Sequence, residues 1–132
     1  MIKSEYQKNR TLKQINELNE KLKTVDVYSQ NSINSLIGQL ESEVNEYEEL
    51  KKGNFVLPKN ITFVELLKNI TKVRISKGLS QQDFADLLGM SKQQINRYEE
   101  YDWQNVSISN INQILIKLKL NVSLELANEK AA

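Results

Sequence analysis

Residues 62–94 contain one helix-start signal repeated three times. A hydroxyl residue is followed three positions later by a carboxylate or amide residue at Thr62 and Glu65, at Ser80 and Asp83, and at Ser91 and Gln94. In this arrangement the two side chains bond backbone N–H groups that the first turn of a helix leaves unpaired. The pattern predicts three short helices, the first ending at Gly78 and the second at Gly89, since glycine favours the left-handed conformation that closes a helix.

The apolar residues of these three helices predict what each one buries. The first two carry broad apolar faces, formed by Phe63, Leu66, Leu67, Ile70 and Val73 and by Phe84, Ala85, Leu87 and Leu88. The third offers only Ile95 and Tyr98 to a core. A short helix with two apolar anchors and an otherwise polar surface is expected to present that surface to a partner.

The spacing between the second and third helices is typical of a helix-turn-helix. Ala85, Gly89 and Ile95 put a small residue at a close helix approach, glycine in the turn and an aliphatic anchor in the next helix. The surrounding residues 74–99 read RISKGLSQQDFADLLGMSKQQINRYE. This stretch resembles the lambda-repressor-like family of regulators, also called Cro-type or xenobiotic-response-element regulators, and the resemblance extends over residues 62–120.

The resemblance implies a DNA-reading role for the third helix, which in that family lies in the major groove. Lys92, Gln93 and Arg97 are the implied base-contacting residues, and Gln81 occupies the family position that bonds a phosphate. The candidate DNA-binding residues are therefore Gln81, Ser91, Lys92, Gln93, Gln94, Asn96 and Arg97. Within that set Ser91 is expected chiefly to cap its helix.

Two further features concern the same family pattern. Arg74 and Glu99 match residues that form an internal ion pair between the first and third helices in that family, which implies a structural role. Family members often follow the third helix with a glycine-containing loop and a proline, whereas residues 99–105 here include three acids, which would repel phosphate. We expect Tyr101 and Trp103 in this loop to pack on the fourth helix.

The first half of the chain has the periodicity of two amphipathic helices. Apolar residues recur at steps of three and four in two sets: Leu12, Ile15, Leu18, Leu22 and Val25, then Ile33, Ile37, Leu40, Val44 and Tyr47. Residues 24–32 between them are rich in residues that end or cap helices, which predicts a helical hairpin. The second set has heptad spacing, so two interpretations stay open: the helices pack only on each other, or the seam also binds a second chain.

The end of the chain predicts a fourth helix followed by a strand. The helix begins near Ser107 or Ser109 and carries one apolar face, formed by Ile108, Ile111, Leu115 and Leu118. Ile114 and Ile116 lie off that face, so they are either exposed or covered by another part of the protein. Residues 121–126 then alternate between polar and apolar, as in a strand. Because a single strand is not stable alone, this segment is the first candidate for a dimer or partner contact.

The sequence as a whole predicts an all-α fold with a short C-terminal β-strand, organised in three parts. Residues 1–53 form a helical hairpin with coiled-coil character, residues 54–120 a lambda-repressor-like helix-turn-helix bundle, and residues 121–132 the strand and tail. The first boundary rests on Lys51, Lys52 and Gly53, followed by the only proline of the chain. Cations and then glycine are typical of a helix C-terminus.

Composition excludes several function classes. The chain has no Cys and no His, which removes thiol nucleophiles, disulfides, imidazole bases and zinc fingers. With no nucleophile and base pair and no phosphate-binding glycine loop in the sequence, we expect neither an enzyme nor a cofactor. The apolar runs are too short to span a bilayer, and we expect a cytoplasmic protein without a membrane partner. A net charge of +1 does not by itself indicate a nucleic-acid partner.

Two classes of function remain open from the sequence. The first is a sequence-specific transcriptional repressor that binds double-stranded DNA as a homodimer on an inverted repeat. A narrower form of it is the autoregulating antitoxin of a toxin–antitoxin pair, with residues 1–53 binding the toxin or another protein. The alternative is a protein-interaction adaptor that keeps the helix-turn-helix fold without binding DNA.

Overall fold

The chain folds into helices joined by short turns. The computed structural model describes residues 1–128, and the helices in this range are α1 (Glu5–Leu22), α2 (Val27–Lys51), α3 (Phe63–Ser76), α4 (Gln81–Leu88), α5 (Lys92–Glu100) and α6 (Ile108–Lys117). This confirms the predicted helical fold. None of these helices combines the length and the apolar content that crossing a membrane requires.

The three predicted capping residues begin α3, α4 and α5. The side chains of Thr62, Ser80 and Ser91 each accept a hydrogen bond from the backbone N–H three residues later, over 3.0–3.2 Å. At Ser80 the bond is reciprocated, because its own N–H donates to a carboxylate oxygen of Asp83 over 3.0 Å. The sequence therefore placed these three helix starts correctly.

The four helices α3 to α6 surround one apolar core. Its fully buried residues come from every helix of the bundle and from the loop after α5: Ile70, Phe84, Ala85, Ile95, Trp103, Ile114 and Leu118. The indole N–H of Trp103 donates to the hydroxyl of Thr71 over 3.1 Å, and its ring meets Phe84 edge-on at 5.9 Å. Trp103 thus fills the centre of the bundle with its one polar atom paired.

The loop after α5 differs from the prediction at one aromatic residue. Asp102 and Trp103 both have positive φ, 51° and 60°, and this left-handed backbone turns the loop so that the indole enters the core. Tyr101 is 59% exposed, so the prediction that it packs on the fourth helix is wrong. The backbone reversal sends only one of the two aromatic rings inward.

The inner face of α6 is also rotated from the predicted one. Ile108 is the first residue of the helix, after the N-cap Ser107, and it is 77% exposed, whereas Ile114 is completely buried. The buried face is formed by Ile111, Ile114, Leu115 and Leu118. The prediction for Ile108 and Ile114 is therefore wrong, because the apolar residues of this helix outnumber the positions that one face offers.

The helices α1 and α2 form the predicted hairpin, and this hairpin is packed on the bundle. Lys8 near the start of α1 pairs with Glu48 near the end of α2 over 2.8 Å, so the two helices run antiparallel. At the same end a second apolar cluster joins Ile2, Tyr47 and Leu50 to Ile75 of α3. The hairpin is thereby fixed to the first helix of the bundle by burial of apolar surface.

Residues 121–128 follow α6 without regular structure. The predicted strand over 121–126 is not seen in the described part of the chain, and the tail beyond residue 128 lies outside it. Leu124 and Leu126 are 77% and 91% exposed. An isolated extended segment has no neighbouring strand to complete its backbone hydrogen bonds, so a strand does not form in one copy of this chain.

The contrast between Trp103 and Tyr101 gives a test of the core. Trp103→Ala removes a fully buried ring and is expected to lower the free energy of unfolding by about 3–5 kcal/mol, while Tyr101→Ala is expected to change it by less than about 0.5 kcal/mol. Urea unfolding followed by helical circular dichroism measures both free energies. Tryptophan fluorescence cannot serve as the probe, because Trp103 is the only tryptophan and one variant lacks it. Equal losses in the two variants would contradict this packing.

Candidate nucleic-acid interface

The helices α4 and α5 form a tight helix-turn-helix. Gly89 closes α4 with φ of 66°, in the left-handed region, and the N–H of Met90 donates back to the carbonyl of Ala85 over 2.9 Å. Ala85 and Ile95 are both completely buried where the two helices approach. The small residue, the glycine turn and the aliphatic anchor therefore have the roles that their spacing predicts.

The outer face of α5 is polar and open to solvent. Ser91, Lys92, Gln93, Gln94 and Arg97 are all exposed. Ser91 caps the helix, as expected. The amide of Gln94 donates to the hydroxyl of Tyr98 over 2.8 Å, which holds that side chain along the helix. Lys92, Gln93 and Arg97 thus form the outward-facing part of the predicted set.

Gln81 and Asn96, also in the predicted set, are instead held within the protein. Gln81 is only 6% exposed, and its amide nitrogen donates to Glu99 over 2.8 Å and to Asn96 over 3.2 Å. The amide nitrogen of Asn96 donates in turn to Glu100 over 3.3 Å. Both amide hydrogens of Gln81 are therefore directed inward. To donate to a phosphate, the Gln81 amide would have to break its hydrogen bond to Glu99 or to Asn96.

A buried ion pair fixes α5 to α3. Arg74 and Glu99 have side chains that are 1% and 0% exposed, with Arg74 Nε to Glu99 Oε2 at 3.0 Å and Arg74 Nη2 to Glu99 Oε1 at 3.2 Å. This confirms the predicted pair. Two parallel bonds between a guanidinium and a carboxylate also define the mutual orientation of the two groups, so the pair sets the rotation of α5 about its axis.

The remaining donors of Arg74 bond backbone carbonyls. Nη1 donates to Leu79 over 2.7 Å and Nη2 donates to Lys3 over 2.8 Å. Lys3 lies just before α1, so the guanidinium of Arg74 links the hairpin, α3, the turn before α4 and α5. The sequence analysis missed the contribution of Lys3, because a backbone carbonyl leaves no signature in the residue type.

The loop acids repel a polyanion less than their number suggests. Glu99 is one of the three acids predicted to face phosphate, but it is buried against Arg74, and only Glu100 and Asp102 are exposed. Asp83 at the start of α4 is also exposed, and the Ser80 backbone N–H that it accepts lowers its pKa. The exposed acids around α4 and α5 are therefore Asp83, Asp86, Glu100 and Asp102.

The base of the hairpin borders the same surface. A cleft of about 400 Å³ separates the start of α1, at Lys3 to Tyr6, from the start of α4, at Ser80 to Asp83, and Lys92 of α5 also lines it. Glu5 in this cleft bonds the ammonium groups of Lys51 and Lys8, and these bonds lower the pKa of Glu5 to about 2. This neighbourhood is a product of tertiary packing, and sequence reasoning missed it.

Comparison with known proteins gives a family match in the second half of the chain. Residues 70–125 match the model of a family described as helix-turn-helix. The match begins within α3 and includes all of α4, α5 and α6. No curated protein and no solved structure gave a significant match to the chain.

The ion pair of Arg74 and Glu99 is expected to be costly to break from one side. Glu99→Ala leaves a guanidinium buried without its counter-charge and is expected to lower the free energy of unfolding by about 3–5 kcal/mol. The double variant with Arg74→Met and Glu99→Leu replaces both partners. Its free energy of unfolding is expected to fall by less than the sum of the decreases that Arg74→Met and Glu99→Leu cause separately. Urea unfolding of wild type, Arg74→Met, Glu99→Leu and the double variant measures this coupling.

Glu100→Ala is the matched control, since Glu100 is the exposed neighbour of Glu99. Its free energy of unfolding is expected to stay within about 0.5 kcal/mol of wild type. Additive single changes, or a Glu99→Ala variant as stable as Glu100→Ala, would show that the pair does not fix α5.

Proposed function

We propose that the chain, whose residues 70–125 match a helix-turn-helix family model, is a lambda-repressor-like, sequence-specific DNA-binding transcriptional repressor. The observation that carries the proposal is the outer face of α5. That face is polar and exposed, while the opposite face is anchored by buried Ile95 and Glu99. Because the inner face of α5 is fixed by buried residues, the helix presents its outer side chains in one orientation.

The chemistry of that face suits base edges in the major groove. The amide of Gln93 has the donor and acceptor that pair with adenine, and Arg97 and Lys92 have the donors that pair with the two acceptors of guanine. The α5 helix enters the groove with its N-terminal end first, and α4 lies across the backbone, as in other helix-turn-helix proteins.

The other residues of the predicted set support this face. Ser91 caps α5 and Gln94 is held by Tyr98, so both are placed at the edge of the reading surface. We assign Gln81 and Asn96 a positioning role, because the bond between them joins the start of α4 to α5. Their hydrogen bonds fix the angle between the helix that reads bases and the helix that lies on phosphates.

We further propose that the repressor acts as a homodimer on an inverted repeat, with half-sites about one helical turn apart. Two-fold symmetry in the protein then matches two-fold symmetry in the DNA. The net charge of +1 and the exposed acids near α5 keep binding to random DNA weak, since that binding depends on neutralised phosphates. Discrimination would therefore come chiefly from base contacts.

The antitoxin role is a narrower proposal that rests on the hairpin. At the turn between α1 and α2, Val27 and Tyr28 are 71% and 88% exposed, at the end of the hairpin opposite to the cluster that packs on α3. Exposed aromatic and aliphatic side chains are typical of protein-binding surfaces. This tip is where a toxin or another protein partner of residues 1–53 would bind.

The first test is selection of bound duplexes from a random library, followed by affinity measurements on the selected site. Gln93→Ala and Arg97→Ala are each expected to weaken binding to that site by about 1–3 kcal/mol, roughly 5- to 150-fold. Affinity for random duplex is expected to change much less. Gln39→Ala, at an exposed position of α2, is the control and should bind as wild type does.

Two outcomes would count against this proposal. Selection that enriches no sequence, with equal affinity of all variants for every duplex, would favour the adaptor without DNA binding. Loss of affinity in Gln39→Ala as large as that in Gln93→Ala would show that α5 is not the reading element.

A further inference from the structure

The charges of the hairpin are distributed very unevenly. Residues 1–16 carry the cations Lys3, Lys8, Arg10 and Lys13 against the single acid Glu5. Residues 17–50 carry the cations Lys21 and Lys23 against the acids Glu17, Glu20, Asp26, Glu41, Glu43, Glu46, Glu48 and Glu49. The net charge of the chain is therefore near zero even though the start of α1 is basic and residues 17–50 of the hairpin are acidic.

The basic start of α1 has one outward face that is open to solvent. Tyr6, Arg10 and Lys13 follow one another at steps of four and three, so they lie on the same face of the helix. All three are exposed, Tyr6 at 70%. The guanidinium carbon of Arg10 lies 5.8 Å from the centre of the Tyr6 ring, a cation–π contact that orients the charge. We call these three residues the cationic face of α1.

The N-terminal end of this face, at Tyr6, borders the surface that we propose reads DNA. Tyr6 lines the cleft that Gln82 at the start of α4 and Lys92 at the start of α5 also line. Toward the middle of α1 the same face continues to Glu17, four residues after Lys13, and the acids at its other end have partners. Glu5 is paired with Lys8 and Lys51, and Asp83 accepts the N–H of Ser80.

The acidic part of α2 contacts a different part of the bundle. Glu46 lies 3.4 Å from Lys72 of α3, and Glu46 and Glu49 line a groove with Asn54 and Phe55. Glu48 is paired with Lys8. The hairpin thus places its basic start beside the cleft that Lys92 of α5 also lines, and it places Glu46 and Glu49 beside Lys72 of α3 and residues 54–55. This arrangement favours a polyanion on the side of α1 over the side of α2.

We propose that the cationic face of α1, Tyr6 with Arg10 and Lys13, binds the phosphate backbone of the same DNA duplex, beside the segment that α5 reads. This inference rests on the proposed function and extends the interface to the hairpin. The guanidinium of Arg10 and the ammonium of Lys13 donate to phosphate oxygens. Contacts of this kind carry no sequence information, but they add affinity and fix the register of the protein on the duplex.

The test uses the full chain, a random-sequence duplex that extends well beyond the protein, and a salt series. Arg10→Ala combined with Lys13→Ala is expected to reduce the slope of log affinity against log salt by about 1–2 and the affinity at low salt by about tenfold. Lys21→Ala combined with Lys23→Ala removes the same number of cations from the far end of α1 and is expected to behave as wild type. Circular dichroism verifies that all variants are folded.

The outcomes separate this inference from the proposed function. Wild-type affinity and an unchanged salt slope in the Arg10 and Lys13 variant would overturn the inference and leave the reading role of α5 intact. The same conclusion follows if the Lys21 and Lys23 variant loses as much affinity and salt slope as the Arg10 and Lys13 variant. The effect would then depend on net charge and not on the position of the cations. A wild-type chain that binds no duplex would overturn both, whereas Gln39→Ala, at an exposed position of α2, should leave this random-duplex binding unchanged.

Discussion

The ion pair between Arg74 and Glu99 is the interaction on which the rest of this structure depends. It is almost completely buried, and the guanidinium also bonds the carbonyls of Lys3 and Leu79. A buried charge must have its partners arranged around it, so one arginine determines how four segments of the chain meet. Among residues 1–128 no buried side-chain polar atom lacks a partner, and the buried amide of Gln81 completes the set around Glu99.

This constraint divides the polar residues of the helix-turn-helix into two groups with different roles. Glu99, Gln81 and Asn96 face inward or across the turn and bond one another, while Lys92, Gln93 and Arg97 remain exposed. The first group fixes the second in space. Preorganisation of this kind spares the reading side chains part of the ordering that binding would otherwise require.

The hairpin packs directly on the bundle of helices α3 to α6. Ile2, Tyr47 and Leu50 pack on Ile75 of α3, and burial of Tyr47 beside Glu5 raises the pKa of its phenol to about 12. A partner that binds the far tip of the hairpin therefore acts on an element that contacts both α3 and, through Lys3, the ion pair. The same attachment places the basic start of α1 beside the cleft that Lys92 of α5 also lines.

The sequence determined the local features of this protein, namely the helix starts at Thr62, Ser80 and Ser91, the glycine turn at Gly89 and the two helices of the hairpin, because caps, turns and periodicity act within a few residues. Through the pattern of residues 74–99 it also determined the ion pair of Arg74 and Glu99. Only the tertiary structure decided which of Tyr101 and Trp103 enters the core, which side of α6 is buried, and that Gln81 turns inward. These choices depend on distant neighbours competing for the same buried space, and no short stretch of sequence contains that competition.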